Sequence, residues 1–329
     1  MNAMAKKIQV GVAGASGYSG QEIHQYLRFS PHFELVASVG REGFDSAQLK
    51  ALDLVFLCTP NEVSLEWAPK ALDHGCNVVD LSGAFRLKKH SYEEWYGFSH
   101  TQKDWLSKSE YSLLPWQKLP SLDTKPGPRL IANPGCYATA TEMVLIPLIK
   151  DGLIDPKRIS VDAKSGTSGA GRKADVGLLF TELSGEFKPY KIGRHQHWPE
   201  IKEAIENYAG KETEFSFITE LLPIERGISA SFFLDWDSDV SDEKRSAETL
   251  LQSFQKYYAK CEDIMVGTEE SFSHLKQVQR SNRISIQCGV AFGRPMVFSC
   301  IDNLGRGAAG QAVANAHALY GIELSECLK

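Results

Sequence analysis

The feature that most constrains this chain is an alternation confined to the stretch before Ser82. Apolar runs at Ile8–Ala13, Phe33–Val39, 52–59 and 77–81 are separated by helical patterns over 21–29 and 64–73. Strands that are apolar along their whole length have no solvent face, and a helix between successive strands carries the chain back to start each one in the same direction. The pattern therefore predicts a doubly wound parallel sheet covered on both faces. From 91 to 128 the period is lost among Tyr, Trp, Ser and Pro, which predicts an irregular excursion, and 129–132 resumes as a strand.

A helix is expected over 138–150, and beyond Gly152 the character changes. Longer strand-like runs at 158–164, 214–221, 227–235, 284–292 and 296–302, with helices near 199–208 and 243–259, predict a mixed, mainly antiparallel sheet with helices on one face. An alanine-rich helix over 307–320 is expected to pack back on the first domain. A chain of 329 residues suits about two domains, and the boundaries fall at 1–135, 136–303 and a returning segment 304–329.

Several classes are excluded. The net charge is −5 with Lys and Arg scattered, so no basic stripe exists to track a phosphate backbone, and no nucleic acid partner is expected. The longest apolar stretch near mid-chain, 143–149, is far short of the roughly 20 residues of a membrane span, so no membrane partner is expected either. Residues 1–7 lack an apolar signal core and a cleavage site, which predicts a cytoplasmic protein. The seven cysteines (Cys58, Cys76, Cys136, Cys261, Cys288, Cys300, Cys327) form an odd set with no C-x-x-C pair, which predicts neither a disulfide framework nor a thiolate zinc site. Cys58, Cys76, Cys288 and Cys300 lie in apolar strand patterns and are expected to be packing residues.

The first strand runs into Val10-Gly11-Val12-Ala13-Gly14-Ala15-Ser16-Gly17-Tyr18-Ser19-Gly20. Glycines at this spacing allow a tight turn and close approach of the backbone to a pyrophosphate, while the following helix N-terminus offers N–H groups to the anion. Gly14, Ser16, Gly17, Tyr18, Ser19 and Gly20 are thus candidate dinucleotide-binding residues. The second strand ends in Gly40-Arg41, and a guanidinium there suits a 2′-phosphate, which favours NADP(H) over NAD(H). The alternative is a solvated Arg41, with Glu42 taking the ribose.

Asn133-Pro134-Gly135-Cys136-Tyr137-Ala138-Thr139 follows a strand, turns sharply, and puts Cys136 in the first turn of a helix. The positive end of the helix dipole stabilises a thiolate there, and the first-turn N–H groups suit an oxyanion. Cys136 is therefore the nucleophile candidate, with a packing cysteine as the plain alternative. A thiolate needs a proton acceptor, and His195 and His197 precede a further helix; which of the two serves is open. No Cys or carboxylate stands at ligand spacing from this H-x-H pair, so no metal is expected. Lys164-Ser165-Gly166-Thr167-Ser168-Gly169-Ala170-Gly171-Arg172-Lys173 is a second glycine-rich loop, read either as an anion-binding element or as a surface loop.

These segments together resemble the N-acetyl-gamma-glutamyl-phosphate reductase family of the arginine pathway, over nearly the whole chain. The carrying motifs are the loop at 14–20, Asp80-Leu81-Ser82-Gly83-Ala84-Phe85-Arg86-Leu87, Ala132 to Tyr137, Ser165 to Lys173, His195-Gln196-His197-Trp198-Pro199-Glu200-Ile201, Pro223-Ile224-Glu225-Arg226-Gly227-Ile228, and Asp302-Asn303-Leu304 with Gly307 to Ala312. The resemblance implies a Rossmann-type NADP-binding domain plus an α+β catalytic and oligomerisation domain, as in semialdehyde and glyceraldehyde-3-phosphate dehydrogenases. It implies NADPH-dependent reduction of an acyl phosphate to an aldehyde through a thioester on Cys136, with a small-molecule substrate, inorganic phosphate as co-product, and a homo-oligomer, dimer or tetramer. It further implies Ser168, Gly169 and Asn303 as cofactor residues, and Arg86, Asn133, Arg172 and Glu200 as substrate residues. Three other readings remain: a reductase of a carrier-linked aminoadipyl or glutamyl phosphate, an aspartate-semialdehyde dehydrogenase, and a silent NADP-binding regulator. The chain departs from the family pattern in a short 41–52 segment, at Asn61-Glu62, at Tyr111-Ser112-Leu113-Leu114-Pro115-Trp116, and at Gln196.

Overall fold

Residues 6–28, 30–88, 90–268 and 273–323 are described by the structure, a computed structural model. Cys327, the extreme N-terminal residues 1–5 and the end of the returning segment, 324–329, lie outside them. The described residues form two compact units, one from Met1–Gly135 and Ala308–Lys329, the other from Cys136–Gly307.

In the first unit the chain runs β1 (Ile8–Ala13), α1 (Tyr18–Arg28), β2 (Phe33–Val39), α2 (Ser46–Lys50), β3 (Leu54–Leu57), α3 (Asn61–Asp73), β4 (Asn77–Asp80), α4 (Tyr92–Tyr96), α5 (Lys103–Lys108), β5 (Glu110–Tyr111) and β6 (Leu130–Ala132). The strands form one sheet in the order β2-β1-β3-β4-β6-β5, parallel throughout. The order reverses direction between β1 and β3, which puts the ligand-binding switch point of such sheets at the C-terminal end of β1. Val10, Val12, Phe33, Leu54 and Phe56 face Ile23 and Leu27 of α1 together with Ala312, Val313, Ala316 and Leu319 of the C-terminal helix Gly310–Leu319. Ala13, Val55, Leu57 and Val78 face Leu65, Ala68 and Leu72 of α3. Each such Val, Leu or Phe contributes about 1.5–3 kcal/mol on leaving water, so both faces of the sheet hold the helices that the alternating pattern requires.

The second unit contains α6 (Cys136–Lys150), β7 (Ile154–Ser165), α7 (Phe180–Leu183), β8 (Lys188–Pro189), α8 (His197–Ala209), β9 (Phe215–Leu221), β10 (Ile228–Trp236), α9 (Ala247–Tyr258), β11 (Ile264–Gly267), α10 (Leu275–Val278), β12 (Ile284–Ala291) and β13 (Arg294–Ile301). Its sheet order is β11-β12-β13-β10-β7-β9-β8, with β11/β12 and β7/β9 the parallel pairs, so it is mixed and mainly antiparallel. Helix α6 is buried from Tyr137 to Ile149 because it lies on β7, β10 and β13 of the sheet and packs against α8 and α9. Among the described residues no helix is long and apolar enough to cross a membrane.

Both sheets have the expected character, but helix starts are displaced: those expected from 243 and 307 begin late, at Ala247 and Gly310, and four others begin early. Helices expected from 21, 64, 138 and 199 begin at Tyr18, Asn61, Cys136 and His197. The opening residues of these four, Tyr18, Asn61, Cys136 and His197, are not aliphatic, so the apolar period does not mark them. Helix α2 is absent from the periodic reading, yet Asp45 and Gln48 close it with a reciprocal capping box, Gln48 N donating to Asp45 Oδ1 at 2.7 Å and Asp45 N to Gln48 Oε1 at 2.9 Å. The excursion over 91–128 contains α4, α5 and β5, and the expected closing helix 307–320 is divided into a wide π turn, Gly305–Ala309, and the α-helix Gly310–Leu319.

Candidate active site

The loop between β1 and α1 has the backbone of an anion cradle. Gly14 adopts φ +74°, open to glycine at little cost, and a Cβ there would collide with the Cys58 carbonyl. Gly17 is different: a Cβ would meet only the Gly14 carbonyl, at 3.3 Å. Because α1 starts at Tyr18, residues Tyr18, Ser19 and Gly20 form its first turn, the end at which backbone N–H groups point out of the helix toward the loop. Gly20 also serves packing, since a Cβ would lie 2.8 Å from Ala15 Cα. At the end of β2, the Glu42 carboxylate folds back to accept the Gly40 N–H at 2.8 Å, which holds that carboxyl below its ordinary range, while Arg41 is exposed beside it. The residues present therefore fit a dinucleotide.

Cys136 is the first residue of α6 and half-buried. The other five described cysteines are thiols too, and burial pushes each of them above the ordinary thiol range, which disfavours their thiolates. Next to the nucleophile candidate, the Tyr137 ring meets His195 edge-on at 5.2 Å. His195 is 5% exposed and also lies against Tyr190, His197 and Phe217. The Tyr190 hydroxyl donates to that of Tyr137 at 3.2 Å. Burial in this aromatic cage, with Lys191 nearby, pushes the His195 imidazole down to about 3. The His197 backbone N–H donates to His195 Nδ1 at 3.2 Å, which fixes the neutral ring as the Nε2–H tautomer. His197 Nε2 lies 4.0 Å from the buried Glu200 Oε2, one helical turn on. Sequence reasoning named both histidines and Glu200 but missed Tyr190, whose only signal is an aromatic residue shortly before His195.

The second glycine loop is a built element. Gly166, Thr167 and Ser168 donate their N–H groups to Gly227 (2.9 Å), Ile224 (3.0 Å) and Glu225 (3.0 Å). A Cβ on Gly166 would lie 2.8 Å from the Arg226 nitrogen, so only glycine permits this approach. Arg226 is clamped by Asp302, Nε to Oδ2 at 3.0 Å and Nη2 to Oδ1 at 3.0 Å, with both side chains buried. The Asp302 carboxylate further accepts the N–H groups of Arg280 (2.5 Å), Leu304 (2.8 Å) and Gly305 (2.9 Å). Asn303 accepts the Gly227 N–H at 2.6 Å and donates to Ser168 Oγ at 3.0 Å. Downstream, Gly307 packs on the nucleophile candidate so closely that a Cβ would stand 2.8 Å from that of Cys136. Arg226, Asp302 and Gly307 had no assigned role in the sequence reading; their signal was their place in the quoted motifs.

The remaining candidates divide. Gly169 and Arg172 are exposed. Arg86 donates Nε to the Asn133 carbonyl and Nη2 to that of Leu81, both at 2.8 Å. Asn133, fully buried, donates to the Ala308 carbonyl at 3.2 Å and accepts at Oδ1 from within the same unit. Every polar atom of Asn133 thus has a partner within the protein. Asn61, a departure from the family pattern, accepts the Gly83 N–H at 2.8 Å and so fastens the Asp80–Leu87 loop. A cavity of about 570 Å³, lined by residues that include Arg158, Trp198, Lys202, Phe215 and Asp235, holds none of the expected site residues. Among the described residues no group of three or more His, Cys, Asp or Glu is placed to hold a metal ion.

The His195 environment makes a pH prediction. The folded-state value near 3 lies below the ordinary 6.5, so the unfolded chain binds a proton that the folded one refuses. Stability from burying the neutral ring is complete above about pH 6.5 and lost progressively as pH falls toward 3. On the order of 2–3 kcal/mol is gone by about pH 4.5. His195→Phe should flatten the decline of unfolding free energy between pH 6.5 and 4.5, and parallel curves for the two proteins would refute the buried neutral ring.

Two family models match the chain, "Semialdehyde dehydrogenase, dimerisation domain" over residues 136–303 and "Semialdehyde dehydrogenase, NAD binding domain" over 37–118. N-acetyl-gamma-glutamyl-phosphate reductase of Geobacillus kaustophilus is 38% identical, covering 98% of this chain and 98% of that protein. The enzyme of the same name from Thiobacillus denitrificans is 35% identical over 96% of each. In fold, the chain is similar to aspartate semialdehyde dehydrogenase II of Vibrio cholerae, with a TM-score of 0.72, 16% identity and coverage of 96% and 98% of the two chains. Aspartate semialdehyde dehydrogenase with NADP from Candida albicans gives a TM-score of 0.71 at 15% identity, covering 95% of this chain and 98% of that one. At that identity the likeness speaks for the fold, whereas the full-length match to the reductases speaks for descent. The chain belongs to the N-acetyl-gamma-glutamyl-phosphate reductase family of the semialdehyde dehydrogenases.

Proposed function

We propose that this enzyme reduces N-acetyl-L-glutamyl 5-phosphate to N-acetyl-L-glutamate 5-semialdehyde and phosphate, using NADPH and a thioester on Cys136. The observation that carries the mechanism is the place of Cys136 as the first residue of α6, where the positive end of the helix dipole favours a thiolate. The thiolate sulfur attacks the acyl carbon, the carbon–oxygen bond to phosphate breaks, and phosphate leaves with the electron pair. First-turn N–H groups of α6 are the donors suited to the oxyanion formed on the way. NADPH, when bound on the Gly14–Gly20 loop, supplies the hydride that reduces the thioester. Collapse of the resulting hemithioacetal expels the Cys136 thiolate and frees the aldehyde.

His197 is the acid–base group in this reading, because Glu200 stands beside its Nε2 while His195 is locked neutral with its Nδ1 occupied. It takes the Cys136 proton and returns it to the departing phosphate, and solvent resupplies the proton consumed. Exposed Arg172 is our assignment for the phosphate. Arg41 reads the 2′-phosphate, Glu42 being engaged on Gly40. A thiolate mechanism and six described thiols suit a reducing compartment, and we place the enzyme in the cytoplasm.

A second copy of the chain is the partner. Helices cover one face of the second unit's sheet, whereas the other presents Ile218, Phe233 and Phe298 at 45%, 41% and 39% exposure on β9, β10 and β13. Register aligns Ile218 with Asp162, Asp162 with Ser231, and Ser231 with Phe298, so these apolar residues share one surface with small polar ones. That surface suits a symmetric interface.

Three measurements test these assignments. Cys136→Ser should abolish phosphate-dependent NADP reduction by N-acetylglutamate semialdehyde while coenzyme binding persists, and His197→Asn should lower kcat by about 10²–10⁴-fold; turnover retained by the serine variant refutes the thioester. Arg41→Ala should weaken NADPH by at least tenfold more than NADH, and equal losses would assign the 2′-phosphate elsewhere. Phe233→Asp should convert the oligomer to a smaller species in light scattering; an unchanged mass would move the interface off this face.

A further inference from the structure

The nucleophile is preceded by the turn Asn133-Pro134-Gly135, and the hydrogen bonds around that turn lead to a residue with no role so far. Asn315 sits in the C-terminal helix, fully buried. Its Nδ2 donates to the Ser112 carbonyl and to Asn133 Oδ1, both at 3.0 Å. Its Oδ1 accepts from Ser112 Oγ at 2.8 Å and from Gln311 Nε2 at 3.2 Å. A carboxamide can make about four hydrogen bonds, and this one makes all of them without water. Ser112, Asn133 and Gln311 are also fully buried.

Asn133 receives the network and passes it on. Its backbone N–H donates to the Asp80 carbonyl at 2.9 Å, and its carbonyl accepts from Arg86. With Oδ1 held by Asn315, the Asn133 Nδ2 is directed onto the carbonyls of Pro134 (3.3 Å) and Ala308 (3.2 Å). Pro134 stands just before Gly135 and Cys136, and Ala308 is the chain neighbour of Gly307, whose Cα lies against Cys136. One amide thus holds both stretches of backbone adjoining the reactive sulfur. The orientation of that amide is set by Asn315: rotating it by half a turn would set Nδ2 against Nδ2 and carbonyl against carbonyl, leaving buried polar atoms unsatisfied at about 1–3 kcal/mol each.

We infer that Asn315 is a positioning residue for the reaction, acting through Asn133 to fix the turn that presents Cys136. The inference rests on Cys136 being the nucleophile, and it assigns part of the reaction geometry to the helix Gly310–Leu319, far along the chain from that cysteine. Ser112 belongs to the same device. It is one of this chain's departures from the family pattern, and its hydroxyl supplies one of the two bonds that orient the Asn315 oxygen.

The test uses the intact enzyme and two readouts on Asn315→Asp, which keeps size but puts an oxygen where both donations arise. Iodoacetamide alkylation of Cys136, followed by mass spectrometry, reports the thiolate without turnover, and steady-state kinetics separate kcat from KM. Alkylation and kcat should each fall about tenfold, with KM and the NADPH dissociation constant within twofold of wild type. Ser112→Ala should give the same signature at two- to threefold and serves if the first variant does not fold. Val313→Ala, a buried apolar cut in the same helix, supplies the comparison of stability. In a double-mutant cycle, Asn315→Asp should add little to Asn133→Ala, since both act on one turn. The inference is overturned if alkylation and kcat stay at wild-type values in the Asn315 and Ser112 variants, if Val313→Ala at equal loss of Tm lowers them as much, or if the cycle is additive. A Cys136→Ser enzyme that still turns over would instead sink the thioester reading itself.

Discussion

The Asp302 carboxylate, sealed from water and surrounded by donors, is the constraint on which the second unit's working parts depend. Two nitrogens of Arg226 and three backbone N–H groups converge on its two oxygens. An ion pair in such a place is favourable only when every remaining valence is satisfied, because each charge has lost several kcal/mol of hydration. Here that condition is met by backbone, which means the charge dictates the path of the chain. The carboxylate draws the 302–305 turn inward, Arg226 carries the 224–227 segment with it, and the Gly166–Ser168 loop hydrogen-bonds along that segment. Glycine at 166 and 307 is a by-product of the same contraction: backbone has been pulled to distances where a methyl group does not fit.

The parts of the molecule legible in the sequence are those with a periodic or compositional cause. Apolar runs at β1 and β3 point to a parallel, doubly covered sheet, whereas the edge strand β2 alternates buried and exposed residues, and β7, β10, β12 and β13 are long enough to be read as a second, different sheet. Cys136 and the two histidines stand out as candidates in the sequence because few residue types do such chemistry. What escaped is relational. Nothing local marks Asn315 as the partner of Ser112 and Asn133, since those pairs are separated by 203 and 182 positions. Likewise nothing in the sequence near Asn133 shows that its carboxamide is held by Asn315 and the Ala308 carbonyl. Short elements such as α2 and β11 have too few residues for a period to show.

The two histidines illustrate how environment divides like groups. Both lie close to the start of α8 and both are buried, yet one is ringed by aromatic faces and denied protonation, while the other sits by a carboxylate. Residue type and burial are alike in the two; the ring neighbours and one backbone N–H are not. The difference is made by neighbours from outside α8, Phe217 of β9 and Tyr190, which pack on His195.

The helix Gly310–Leu319 lies in the same apolar layer as Ile23 and Phe33, which come off the ribosome long before it. The amino-terminal sheet is thus translated with one side of its core unfinished, and remains so while the whole intervening unit is made. Nascent chains of this kind need either a patient chaperone or a partial sheet that tolerates waiting. A helix synthesised after both sheets is then the one that closes the unit whose sheet is translated first.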